Sequence, residues 1–157
     1  MRTLILWGTL FLVLGTLNGL ILAKERTLEN GTSILLPLAA GNPRSQIQDD
    51  HLTLQYRLTQ QLHAAALERT GRLVIALDGS GVATFRRLHR GEELQSDEHL
   101  LHYHKRGGLR LGAESFFLGE GNAEQCAKAR FAELKVDREG RNVLVGLRNA
   151  DLRRLCE

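Results

Sequence analysis

The sequence predicts a mainly β protein of the α+β class: an N-terminal transmembrane helix, then an antiparallel β-sandwich or partly open barrel with two short helices. Three observations predict it. An apolar stretch from Leu4 to Ala23 contains no ionisable side chain. The remainder is long enough for one hydrophobic core and too short for two. Three turn signals containing glycine are each flanked by apolar runs of strand length, which is the pattern of consecutive hairpins.

The helix comes first. At about 1.5 Å rise per residue, roughly 20 helical residues cover the ~30 Å hydrocarbon layer. Leu4–Ala23 meets that length, and a helix satisfies its own backbone where lipid offers no partners. A cleaved signal peptide has a shorter apolar core and small residues before the cut. Cutting after Ala23 places Ile21 at the third position back, and cutting after Gly19 places Leu17 there. The segment is therefore expected to stay as an anchor, with residues 1–25 forming it and residues 26–157 forming an extracytoplasmic domain. Arg2 flanks one end and Lys24 and Arg26 the other, so charge alone is close to balanced;. A long C-terminal domain is translocated largely regardless of its charge, which gives an N-in, C-out orientation. Within the anchor, Gly15 and Gly19 have small-xxx-small spacing, Gly8 shares their face, and Asn18 is polar. Such a face lets a second helix approach closely.

The domain reads as strands in order. Ser33–Leu38 is a short apolar run. His51–Leu58 alternates and places Leu52, Leu54, Tyr56 and Leu58 on one face;. Gln60–Arg69 has helical composition. Arg72–Leu77 and Val82–Leu88 flank Asp78-Gly-Ser-Gly81, and Leu100–Lys105 and Leu109–Leu118 flank Arg106-Gly-Gly108. Ala123–Ala129 reads as a short helix. Phe131–Val136 and Val143–Leu147 flank the third turn, Asp137–Asn142.

Net charge is +3, with 21 basic and 18 acidic residues. That excess is small, and no basic run interleaved with aromatics occurs, so no nucleic-acid partner is expected. No cofactor and no catalytic residue is assigned. Cys126 and Cys156 are the only cysteines, and an oxidising compartment would let them pair. His99, His102 and His104 lie within six residues. On a strand His102 and His104 share a face and form a weak metal-ligand pair, with a third ligand needed from elsewhere. The competing reading is a solvated strand end beside the Lys-Arg-Gly-Gly turn. Glu114 and Glu120 near Phe116-Phe117 could act as an acid/base pair, or line a solvent face. The two adjacent rings must point opposite ways, one into the core and the other over a second layer.

Asn42-Pro43-Arg44-Ser45, then Asp50, His51, Leu54 and Tyr56, resembles the GDYXXLXY family of bacterial membrane-anchored proteins. Leu111-Gly112-Ala-Glu114-Ser-Phe116-Phe117-Leu-Gly-Glu120-Gly121 is similar to that family's second motif, and Val136–Gly140 with Leu144–Leu147 to its closing hairpin. Here Asp49-Asp50-His51 stands where the family has Gly-Asp-Tyr, which favours a structural role for the motif. The resemblance implies a bacterial inner-membrane protein with its domain in the periplasm, and it implies no established activity. It marks Pro43, Arg44, Ser45, Asp50, Leu54, Tyr56, Gly112, Phe116, Phe117, Glu120 and Gly121 as motif residues. Two functions follow as expectations. One is a non-catalytic accessory protein, held in the bilayer by residues 4–23 and meeting a polytopic membrane protein, or a second copy, through Gly15, Asn18 and Gly19. The other is a periplasmic hydrolase or metal-binding domain built on Arg44, Asp50 and the histidines.

Overall fold

The structure, a computed structural model, describes residues 2–39, 47–48, 51–62, 66–117 and 123–156. Helix α1 (Arg2–Asn30) is unbroken and continues past Ala23, beyond the expected boundary at residue 25. It is followed by β1 (Thr32–Pro37), β2 (Ile47–Gln48), β3 (His51–Thr53), α2 (Arg57–Gln61), β4 (Thr70–Leu77) and β5 (Ala83–Leu88). Then come β6 (Glu98–Lys105), β7 (Leu109–Arg110), β8 (Ser115–Phe117), α3 (Ala123–Cys126), β9 (Phe131–Val136), β10 (Asn142–Arg148) and β11 (Arg154–Cys156).

The strands form three antiparallel sheets, ordered β1-β9-β10-β11, β5-β4-β6-β7 and β2-β3-β8. The two larger sheets abut where Leu35 bridges Val82 and its N–H donates to the Gly81 carbonyl at 2.9 Å. The result is a curled half-barrel. Its hollow is filled by Ile34, Leu36, Leu73, Ile75, Leu101, Leu134, Val136 and Leu147, all essentially inaccessible. The alternating positions Leu52, Leu54, Tyr56 and Leu58 all enter this core, although the strand carrying them stops at Thr53 and α2 starts at Arg57. The helix expected over Gln60–Arg69 is thus shorter and earlier. The expected strand Leu109–Leu118 is split into β7 and β8, because the Glu114 carboxylate turns back to accept from the N–H groups of Leu111 and Gly112. Phe116 is buried, whereas Phe117 is 79 % exposed and covers no second layer among the described residues.

Three of the tight turns are built alike. The Asp78 Oδ1 accepts from the N–H groups of Ser80 and Val82 at 2.8 and 3.0 Å, and Gly81 has φ +78°. Asp137 Oδ1 accepts from Glu139 and Arg141 at 3.1 and 2.8 Å, with Gly140 at φ +92°. Asn149 Oδ1 accepts from Asp151 and Arg153 at 3.0 and 2.9 Å, with Leu152 at φ +61°. Asp and Asn initiate such turns by bonding backbone two residues on. The fourth position needs the left-handed region, which glycine enters freely and a branched side chain does not. Leu152 hides the last turn from sequence reading, and β11 with it.

Strands β9, β10 and β11 converge on one buried carboxylate. Glu133 accepts from Arg148 Nε and Nη2 at 2.9 and 3.0 Å and from Arg154 Nε at 3.2 Å. The Arg148 hydrogen bonds hold its carboxyl below the usual range against the opposing effect of burial, and Arg154 adds to them. On the neighbouring sheet Arg87 of β5 pairs with Glu98 of β6 across β4. Cys126 is buried and disulfide-bonded, and the sequence holds one other cysteine, Cys156.

Two turn substitutions should act in opposite directions. Leu152→Gly removes an unfavourable left-handed leucine, so its unfolding free energy from urea denaturation should rise by up to about 1 kcal/mol. Gly140→Ala should lose at least that much, because its φ is positive and a Cβ would sit 3.0 Å from Leu100 Cβ;.

The candidate functional site at the junction of helix and hairpin

The last turns of α1 rest on the β9–β10 hairpin. Thr27 is buried although it lies in an otherwise exposed helix. Its single hydroxyl proton is shared between two acceptors, Asp137 Oδ2 at 3.2 Å and the Ala23 carbonyl at 3.1 Å;. One turn earlier Lys24 Nζ donates to the Asn142 carbonyl at 3.1 Å. Gly31 ends the helix, its N–H donating to the Thr27 carbonyl at 3.0 Å, while Lys135 Nζ reaches the Gly31 carbonyl at 3.1 Å. A Cβ on Gly31 would lie 2.3 Å from the Thr27 oxygen and 3.1 Å from the Val136 backbone, so only glycine fits the joint. The helix is fixed to the sheet, not tethered to it.

The hairpin in turn grips the rest of the domain. The Gly140 carbonyl accepts from the His102 N–H at 2.8 Å, and the buried Asn142 amide donates to the Leu111 carbonyl at 2.8 Å. Asp137 is central to all of this. Burial pushes its carboxyl up, but the Arg141 side chain, the Arg141 N–H and the Thr27 hydroxyl outweigh that and hold it below the usual value of 3.8. Between helix and hairpin lies a cleft of about 460 Å³, lined by Arg26, Thr27 and Asn30 on one side and by Asp137, Arg138, Glu139 and Arg141 on the other.

Of the motif residues that the structure describes, Leu54, Tyr56 and Phe116 are buried in the core, whereas Phe117 is exposed. Tyr56 is completely buried, and its hydroxyl donates to the Ala113 carbonyl. Burial first, and the Glu114 charge second, raise its pKa far out of the physiological range, so it stays a neutral donor. Leu54 N–H donates to the Glu114 carbonyl at 2.6 Å, Ala39 N–H to the Gln55 carbonyl at 2.7 Å, and Leu38 bridges Tyr56. The Leu54-Gln-Tyr56 segment therefore ties the end of β1 to the β7–β8 turn, where Gly112 adopts φ +84°. Phe116 adds to the same core. Pro43, Arg44, Ser45, Asp50, Glu120 and Gly121 lie outside the described residues.

The histidines are not gathered. His102 is half-buried and faces Arg72 in the ladder, and His104 is exposed and paired with Thr70 and Arg110. Burial lowers the His102 pKa, with Arg72 and His104 contributing, and a neighbouring guanidinium disfavours a bound cation too. Among the described residues no group of three His, Cys, Asp or Glu is placed to hold a metal ion. A second cleft, of about 470 Å³, is lined by Glu68, Arg72, His89, Arg90 and Tyr103 among others. Tyr103 lies across Gly71 there, where a Cβ would meet its hydroxyl at 2.6 Å.

In the apolar segment of α1, Gly8, Gly15 and Gly19 face open space. Asn18 Nδ2 donates to the Leu14 carbonyl at 2.8 Å, Thr9 Oγ1 to Ile5 at 2.9 Å and Thr16 Oγ1 to Val13 at 2.8 Å. Thr9, Thr16 and Asn18 thus each place a donor on a carbonyl of their own helix.

Fold and junction together define a class: a mainly antiparallel β domain locked onto an apolar helix long enough to cross a membrane. The chain belongs to the GDYXXLXY protein family, whose pattern it matches over residues 13–147. No curated protein and no solved structure matches it. Family membership brings no assigned biochemical function. Sequence reading had singled out the motif residues and missed Lys24, Thr27, Asp137 and Asn142 as the joint. The Asp137-x-x-Gly140 turn carried a signal for local geometry, and nothing in it pointed to the helix.

Two measurements check this geometry. Tyr56→Phe leaves the buried Ala113 carbonyl without its donor and should cost about 1–3 kcal/mol in chemical denaturation. For Asp137 the lowered folded-state pKa means a stabilisation present above about pH 4 and lost as pH falls through the lower folded value;. Asp137→Ala should cost roughly 2–3 kcal/mol at pH 7 and flatten the acid limb of a stability–pH profile. An unchanged acid limb would remove Asp137 from the joint.

Proposed function

We propose that this protein is a non-catalytic accessory component of a bacterial inner membrane. Residues 4–23 cross the bilayer once, the β-rich domain stands in the periplasm, and the helix pairs with another integral membrane protein. The observation that carries the reading is the unbroken helix, bare along its apolar length and hydrogen-bonded to the domain at its polar end. A cleaved leader or a loose tether gains nothing from a buried Thr27 and an engaged Lys24. Thr9, Thr16 and one Asn18 amide donor bond to carbonyls of their own helix, which lowers the cost of placing them in lipid, where unpaired polar groups cost several kcal/mol. Trp7 and Phe11 stack 6.2 Å apart near the N-terminal end, and Trp is a residue favoured at a membrane–water boundary.

The small-residue face Gly8, Gly15 and Gly19 supports close approach of a partner helix. A rigid joint gives such pairing a consequence: rotation or tilt of α1 moves β9 and β10 with it. A polytopic membrane protein is the proposed partner, and a second copy of this chain is the alternative occupant of the same face.

The test is crosslinking from native membranes with the full chain. Alkaline carbonate washing should leave the protein in the membrane pellet. Crosslinking should capture one discrete larger species, and Gly15→Leu with Gly19→Leu should reduce its yield at least about fivefold without releasing the protein from the membrane. Release by carbonate would refute the anchor. Retention without any crosslinked species would refute the accessory reading alone.

A further inference from the structure

The cleft at the junction has a position and a charge that no motif assigns to it. If Ala23 marks the end of the hydrocarbon layer, then at about 1.5 Å per residue Arg26 and Thr27 stand roughly 5–6 Å beyond it. The headgroup layer on each side of the core is about 5–8 Å deep. Because Lys24 and Thr27 are bonded to Asn142 and Asp137, the hairpin tip is held at that same height. Arg138 and Arg141 are therefore carried into the headgroup layer by the joint.

The arginines in the cleft are in different states. Arg141 is engaged, its Nε 2.7 Å from Asp137 Oδ2 and its Nη2 3.2 Å from Glu139 Oε2. It answers the two carboxylates that line the cleft. Arg26 and Arg138 are exposed and form no ion pair among the described residues. Both line the cleft of about 460 Å³, Arg26 from the helix and Arg138 from the hairpin. Asn30 offers a further polar group at the rim, its Nδ2 bonded only weakly to the Arg26 carbonyl at 3.4 Å. Guanidinium groups bind phosphate oxygens through paired N–H donors.

We infer that this cleft is a binding site for the phosphodiester of an anionic phospholipid, held between Arg26 and Arg138 at the foot of the domain. The inference rests on the proposed membrane reading, since the anchor sets the height of the cleft. A bound headgroup would close the gap between helix and hairpin, and so add to the joint that Thr27 and Asp137 make. Specificity lies in charge: two cations with no counter-ion favour a lipid with a net negative head over a zwitterionic one.

The full-length protein in a neutral, phosphate-free detergent is suited to the test, read by native mass spectrometry and by thermal melting. Phosphatidylglycerol should be retained in preference to phosphatidylcholine and should raise the melting temperature. The double variant Arg26→Gln/Arg138→Gln should weaken phosphatidylglycerol binding about 10- to 30-fold, the effect of removing two basic groups at an anionic surface. Its melting temperature without lipid should match the parent, since neither side chain contributes to the joint. Equal retention of the two lipids, or retention unaffected by the double variant, would overturn the site. An equal melting shift with inorganic phosphate would assign the cleft to free phosphate and overturn the lipid. Stronger binding of a polyglutamate peptide than of phosphatidylglycerol would reassign it to an acidic protein segment. Carbonate extraction of the same variants reports on the anchor separately, so failure of the lipid site and failure of the membrane reading remain distinguishable.

Discussion

The carboxylate of Asp137 accepts four hydrogen bonds: from the Thr27 hydroxyl and Arg141 Nε on one oxygen, and from the Glu139 and Arg141 N–H groups on the other. Three of these bonds shape the hairpin turn, and the fourth, from Thr27, holds the helix. Everything at the base of the domain depends on both holding together. With the turn in place, the Gly140 carbonyl meets the His102 N–H and the Asn142 amide meets Leu111. With the helix in place, Lys24 caps the Asn142 carbonyl and Gly31 can drop straight into β1. Asp137 stays ionised because its partners outweigh the penalty of its partial burial, and an ionised acceptor makes the stronger bonds.

This arrangement gives the helix two roles. An anchor alone needs only length and apolarity, and a flexible tether would then be the economical connection. Here the polar end of the helix is hydrogen-bonded to the sheet, so the orientation of the domain relative to the helix is set by side-chain contacts. The family pattern covers residues 13–147 and so takes in the second half of the helix as well as the hairpin.

Much of the fold was legible in the sequence, for reasons that can be named. Asp78-Gly-Ser-Gly81 and Asp137-Arg-Glu-Gly140 advertise themselves, because Asp closes the turn and Gly takes the positive φ. The alternation of Leu52, Leu54, Tyr56 and Leu58 predicted the buried face even where the strand gave way to a helix, since burial follows side-chain direction through both. Leu152 carried no such signal, so the last hairpin was invisible. The break between β7 and β8 was hidden likewise, because it depends on Glu114 folding back onto the N–H groups of Leu111 and Gly112. The candidate site was the least legible part. Thr27 and Asp137 are 110 residues apart, and a Thr in the last turns of a helix is unremarkable until the partner is seen. Histidine spacing drew attention to His102 and His104, but the strand register sets them beside arginines instead of beside further ligands.

The central claim is that α1 and the sheet form one rigid body through the Thr27–Asp137 and Lys24–Asn142 contacts. Amide hydrogen exchange of the full-length protein in lipid nanodiscs, read across residues 24–31, tests it most directly. A fixed joint predicts that these amides are protected to a degree approaching β9, and that Asp137→Ala exposes them while leaving β4 and β6 protected. Exchange across 24–31 at the rate of an unstructured linker in the unmodified protein would contradict the account.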